Sequence, residues 1–191
     1  DFGVVGSASL IVGFLISLKT AGMGESLIRA KTLETGHIHT VWTLRLLISF
    51  PLLAVLLGFA EVFAVWVKEP RVVPILQLLA FIPLIEALAS PAPNLLVRDM
   101  DFKRLFYLRV WAKFGGVVAT IVLAFVLRDY WALVWGQVAA AFALVAVSHY
   151  FYPYLPRLSL SHLKMDGAFT FWSFWRNLAI HIADSVDELV V

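Results

Sequence analysis

The chain has 191 residues, of which 61% are hydrophobic and only 15% charged, with a mean hydropathy of +0.88; soluble domains carry about 45–50% apolar and about 25% charged residues. A formal net charge of +2 is too small for a nucleic-acid-binding surface, and the absence of cysteine excludes disulfides and thiolate metal sites. Apolar runs recur over the whole length, which specifies an all-α, polytopic transmembrane helix bundle rather than a soluble core.

A hydrocarbon core of about 30 Å needs around 20 apolar residues per helix, and about six runs of that length are present. The first covers Val4 to Ile28, with Gly6, Ser9, Gly13, Ser17, Thr20 and Gly24 on one face. Such a small-residue face either packs tightly on a neighbouring helix or walls a cavity. The second covers Thr40 to Val67, with Trp42 and Trp66 near its ends, where amphipathic rings favour the membrane interface, and Arg45 about one turn inside. The third, Val72 to Val97, contains Pro74, Pro83, Pro91 and Pro93 and is expected to be kinked or broken, because each proline removes a backbone donor and clashes with the preceding turn. Glu86, Ser90 and Asn94 would share a face of an unbroken helix there.

Arg98, Asp99, Asp101, Lys103 and Arg104 then form a charged elbow between two apolar runs. Asp101 is placed to cap the fourth span, Phe102 to Leu127, along which Arg109, Lys113, Gly116 and Thr120 follow one face. Arg128-Asp129 turns the chain into the fifth span, Tyr130 to Phe151, which contains Gln137. A polar link, Arg157 to Asp166, leads to a sixth span from about Phe169 onward. The sequence opens without a methionine and stops inside this last apolar run, which reads as an internal fragment; Asp1-Phe2-Gly3 has neither the basic nor the short apolar region of a signal peptide.

If the spans alternate, Arg29, Lys31, Arg98, Lys103, Arg104, Arg157 and Lys164 fall on one side of the membrane, and Lys68, Arg71 and Arg128 on the other. The positive-inside rule makes the first side, with the elbow, cytoplasmic.

No enzymatic constellation is present, and no phosphate loop, because neither Gly22-Met23-Gly24 nor Gly115-Gly116 is followed by Lys-Ser/Thr. The polar residues of interest lie within the spans. On the sixth, Ser173, Asn177, His181, Asp184 and Glu188 fall in one narrow arc, which either packs on partner helices or lines a water-filled cavity with a role in substrate binding or proton coupling. One histidine and two carboxylates on a single helix are weak grounds for a metal, and no metal or other cofactor is expected. Arg109 and Lys113 either snorkel to anionic head groups or attract an anionic substrate, with Arg45 contributing from another span. Glu86, flanked by proline, is expected to face protein or water rather than lipid.

Several segments carry a family likeness: Asp1-Phe2-Gly3-Val4-Val5-Gly6; Gly22-Met23-Gly24 with Leu27-Ile28; Leu95 through Arg104; and Tyr130-Trp131-Ala132-Leu133-Val134-Trp135-Gly136-Gln137. Together they resemble the polysaccharide-export flippases of the multidrug/oligosaccharidyl-lipid/polysaccharide superfamily. The resemblance implies a two-lobe, inverted-V transporter with residues 1–156 as N-terminal-lobe helices, five spans lacking the lobe's first, and residues 157–191 as the link and first helix of the second lobe. It further implies a non-enzymatic flippase that moves undecaprenyl-pyrophosphate-linked precursors of O-antigen, capsule or exopolysaccharide across the bacterial inner membrane. Arg45, Arg109 and Lys113 would contact the pyrophosphate, whereas Glu86, Asn177, His181, Asp184 and Glu188 would form the polar cavity or coupling set. Expected partners are the lipid-linked oligosaccharide, membrane lipids, a coupling proton or sodium ion, and polysaccharide polymerase or assembly proteins. The chain departs from the family in having Lys19-Thr20 where relatives often carry an acid. A drug or cation exporter on the same fold, and a non-transporting scaffold of polysaccharide assembly, are the alternatives.

Overall fold

Proline placement divides the middle of the chain. In the computed structural model, which describes residues 2–20, 27–28, 34–154 and 157–161, the first two helices are α1 (Phe2–Thr20) and α2 (Thr35–Val67). The expected third span is three short helices, α3 (Val72–Leu79), α4 (Ile82–Ala87) and α5 (Ala92–Arg98). Pro74 and Pro83 lie in the first turns of α3 and α4, and Pro91 and Pro93 flank the first residue of α5. First-turn N–H groups have no intrahelical acceptor, so proline is tolerated there while its ring obstructs continuation from the turn before. The axis bends by 47° between the α3–α4 pair and α5. Glu86, Ser90 and Asn94 therefore do not share a helix face, because the chain leaves helical geometry between Ala87 and Ala92.

The elbow leads to α6 (Phe102–Leu127), and a turn at Arg128–Tyr130 to α7 (Trp131–Phe151). Among the described residues, α2, α6 and α7 are long and apolar enough to cross a membrane, and the bent α3–α5 segment makes a fourth crossing if counted as one. The apolar stretch Gly3–Ile16 of α1 is shorter, and the expected sixth span lies outside the described residues.

Local chemistry explains the helix ends. The Asp101 carboxylate accepts from the Arg104 backbone N–H at 3.0 Å, the N-cap anticipated from sequence, which contributes about 1 kcal/mol. Helix α5 ends with Met100 at φ 54°. Asp101 N–H then donates to Leu96 O at 2.9 Å and Met100 N–H to Val97 O at 3.2 Å, so the last carbonyls of the helix are satisfied. Lys68, at φ 57°, closes α2 in the same way through Ala64 O and Val65 O. Helix α2 starts before the expected Thr40 because buried His37 and Ile38 extend its packed region. Trp66 is exposed at the far end, whereas Trp42 is buried and its indole N–H meets no acceptor among the described residues.

The two ends of the bundle are built from different clusters. Leu27, Ile38, Val41 and Leu95 pack together with Tyr154. This gathers at one end the start of α2, the approach to the elbow and the segment after α7. The link is fixed there by Ser159 N–H donating to Thr43 Oγ1 at 3.1 Å and by the Tyr154 hydroxyl meeting His39 Nδ1 at 2.5 Å. Burial, with Tyr152 nearby, pushes the Tyr154 phenol up to about 12, so it is protonated at neutral pH. At the other end Val67, Val72, Tyr130 and Trp131 belong to the main core, beside Lys68, Arg71 and Arg128.

Helices α6 and α7 approach closely because small residues face each other. A Cβ on Gly116 would lie 2.6 Å from Ala140 Cβ and 3.1 Å from its Cα, and one on Gly136 would overlap Thr120. Without a hydrophobic driving force between helices in lipid, such backbone proximity supplies much of the association. Gly116→Leu is expected to force the pair apart and cost roughly 1–3 kcal/mol, read as lost thermal stability in detergent. Gly58→Leu, at a position with nothing within 4 Å, should leave stability nearly unchanged; equal losses at the two positions would refute the close-packing account.

Candidate functional site

Four helices leave a cavity between them. Residues of α1, α4, α6 and α7 line an open cavity of about 730 Å³, within the range of about 300–1,000 Å³ typical of ligand sites. Its walls are largely apolar, with Val12, Ile16, Ile82, Val117, Ile121 and Leu144 among them. Into this setting α4 brings Glu86, α6 brings Arg109 and Lys113, and α7 brings Gln137.

The placement follows from helix periodicity. Arg109, Lys113, Gly116 and Thr120, expected on one face of α6, all line the cavity. Ser9 and Gly13 of the small-residue face of α1 do so too, and no described atom lies within 4 Å of the Cβ position of Gly6 or Gly13. Ser9 and Gly13 thus border the cavity, while Val5, Ala8 and Val12 of the same helix are buried in the main core. Gln137 Nε2 donates to Ser9 Oγ at 2.9 Å and so ties α7 to α1, and the Thr120 hydroxyl is satisfied by Gly116 O at 2.8 Å.

Depth gives the two cations their significance. At 1.5 Å per residue, Arg109 lies about 10 Å and Lys113 about 16 Å along α6 from Phe102. Both are exposed, and neither forms an ion pair among the described residues. A cation near mid-membrane costs about 2.5–3.5 kcal/mol or more unless water or a partner receives it. A cavity that sets Glu86, Gln137 and Ser9 beside the two cations among its apolar walls meets that requirement and presents two positive charges to whatever enters.

Arg45 is engaged elsewhere. Its Nη2 donates to Glu86 O at 2.9 Å and its Nη1 reaches Ala89 O at 3.5 Å; it is absent from the cavity wall. These carbonyls lie where the helix breaks: Glu86 O keeps a backbone donor in Ala89 N–H at 3.1 Å and takes the guanidinium as a second, while Ala89 O is reached by the guanidinium beyond the end of the helix. Arg45 also interacts electrostatically with Glu86. Glu86 thus joins two parts of the structure, its carbonyl holding the break and its residue lining the cavity. Ser90 and Ser148 complete the break: Ser90 N–H donates to Ser148 Oγ at 3.0 Å, and Ser90 Oγ donates to Tyr152 O at 3.1 Å.

Asn177, His181, Asp184 and Glu188 lie outside the described residues, as do Ser173, Arg176 and Asp187. No group of three metal-ligating side chains occurs among the described residues. Sequence places Ser9 on the small-residue face of α1 but gives Gln137 no role; the available signal was a glutamine within an otherwise apolar helix.

Comparison with known proteins is consistent with this architecture. A family described as "Polysaccharide biosynthesis protein" matches residues 1–191, the entire chain. The chain belongs to the polysaccharide biosynthesis protein family. This family member is also similar to the succinoglycan biosynthesis transport protein ExoT of Rhizobium meliloti (strain 1021), at 25% identity over 193 residues. The match covers 100% of this chain and 39% of that relative's length, so the family member spans about two fifths of the relative. No solved structure matches it. Family membership and the apolar helices make it a membrane protein of the polysaccharide biosynthesis family.

Proposed function

We propose that this protein is part of a flippase for a polyprenyl-pyrophosphate-linked oligosaccharide, working by alternating access in the bacterial inner membrane. The observation that carries the reading is the cavity where Arg109 and Lys113 stand with Glu86 and Gln137 among apolar walls. A diphosphate needs cations shielded from bulk water, sugars need hydrogen-bonding groups, and a polyprenyl tail needs lipid. A cavity within a membrane bundle, polar in part and bounded by apolar helices, offers all three.

In this mechanism Arg109 and Lys113 hold the diphosphate, and Gln137 and Ser9 contact sugar hydroxyls or their water. Glu86 is the only carboxylate of the cavity wall among the described residues and is the coupling group, exchanging a proton or sodium ion with cavity water. Because Glu86 also carries the carbonyl that anchors Arg45, a charge change there bears directly on the helix break. Two states that bind the substrate unequally supply the bias that transport requires. The loop charges orient the elbow toward the cytoplasm, and the clustering of Leu27, Leu95 and Tyr154 supports placing its companion links at the same end. Two cations against one carboxylate in the described wall favour an anionic cargo over a cationic drug.

The test is reconstitution of the full-length protein in vesicles with a fluorescent polyprenyl-pyrophosphate-linked oligosaccharide on one leaflet. Protein-dependent appearance of the label on the other leaflet is expected. Its absence, with a membrane-inserted protein, would overturn the reading.

A further inference from the structure

A second recess lies along the α6–α7 seam. Trp111 of α6 and Ala146, Val147, Tyr150 and Phe151 of α7 line an open recess of about 550 Å³. Trp111 stands about 200° around α6 from Arg109, at about 100° per residue, so this recess opens on a different face from the cavity. Phe151 and Val147 pack with Leu105 and Leu108, which sets the recess beside the first turns of α6, close to the elbow. Trp111 is 55% and Tyr150 83% exposed, an aromatic surface directed away from the protein core.

The charge above this slot is positive. Arg104 precedes Trp111 by seven residues, which puts the two on nearly the same face about 10 Å apart along the axis, with Lys103 adjacent. Arg104 engages Asp101 through Nε at 3.3 Å, a contact that uses one of the guanidinium's three nitrogens and leaves its side chain 69% exposed. An apolar, aromatic slot beneath a cationic rim matches a phospholipid with an anionic head group.

We propose that this recess binds one acyl chain of an anionic phospholipid whose phosphate is held by Arg104 and Lys103. The occupant is a bilayer phospholipid rather than a polyprenyl carrier, because a carrier with its phosphate on Arg109 and Lys113 would enter from the other face of α6. The bound lipid fastens the elbow to one leaflet and fills the seam where α6 and α7 are no longer joined by small residues. The recess and its cationic rim carry the inference, and only the exclusion of a polyprenyl carrier rests on the proposed function.

Native mass spectrometry of the delipidated, full-length protein in neutral detergent tests it, with phosphatidylglycerol, phosphatidylcholine and a polyprenyl monophosphate as separate probes. Phosphatidylglycerol should bind in preference to both. Binding should weaken roughly fivefold for each charge removed in Lys103→Gln and Arg104→Gln, and Ala146→Trp, which fills the slot without altering charge, should abolish the preference. Arg128→Gln, at the far end of α6, should leave phosphatidylglycerol binding unchanged. Equal binding of phosphatidylglycerol and phosphatidylcholine, wild-type binding by Arg104→Gln and Ala146→Trp, or preference for the polyprenyl monophosphate would each overturn the proposal.

Discussion

Replacing Arg109 and Lys113 together with glutamine should reduce export of the lipid-linked oligosaccharide by at least about thirtyfold. Each cation contributes about 1 kcal/mol to an anion at a hydrated membrane surface, and about 1.5–3 kcal/mol when the bond is charge-assisted and shielded. Two contributions at the lower figure amount to about 2 kcal/mol, and about 1.4 kcal/mol is tenfold in affinity. Both side chains are exposed in the cavity, so the lower figure sets the expected minimum. Arg128→Gln, at the opposite end of α6, is the control and should export normally. The measurement is surface polysaccharide in a strain whose own copy is deleted, normalised to protein in the membrane. Normal export by the double variant at normal abundance would remove the anion-binding role from this pair.

A different outcome is expected at Arg45, although sequence places it in the same class of cation. Arg45→Met keeps an unbranched apolar stem but removes the guanidinium donor from Ala89 O and the second, charge-assisted donor from Glu86 O, which keeps only Ala89 N–H. Each buried acceptor left unsatisfied costs about 1–3 kcal/mol, so thermal unfolding in detergent should fall by several degrees, at roughly 2–4 °C per kcal/mol for a chain of this size. Arg45→Lys should recover part of the loss, since an ammonium reaches one carbonyl but lacks the planar fork that spans both. Substrate affinity of the surviving folded protein should change little, because Arg45 is absent from the cavity wall. Unchanged stability with strongly weakened substrate binding would instead make Arg45 a ligand of the diphosphate.

The contrast between these cations shows where sequence reasoning reached its limit. Arg109, Lys113, Gly116 and Thr120 lie on one uninterrupted helix, so a period of 3.6 residues was enough to group them, and the structure keeps them on one wall. Arg45 and Glu86 are 41 residues apart, and no local period relates them. The same limit applies to Ser90 and Ser148, whose 58-residue separation is bridged only when the broken segment packs on the end of α7. The third span was legible as broken from its prolines, but its 47° bend depends on what the freed carbonyls bond to.

By itself the sequence determined the class, the places of the turns, the Asp101 cap and the family. These follow from composition, from apolar run length against bilayer thickness, and from the local geometry of charged, proline and capping residues. Only the tertiary structure decided which polar residues meet. It set Ser9 and Gly13 of α1 on a cavity wall, turned Trp42 inward, and separated Arg45 from the other two cations. The physical reason is that a membrane helix is apolar on most of its faces, so hydrophobic pattern identifies the span but barely distinguishes the side that packs, the side that faces lipid and the side that borders water. That distinction arises from small-residue contacts such as Gly116 against Ala140 and from hydrogen bonds between distant segments, and both exist only once the helices are assembled.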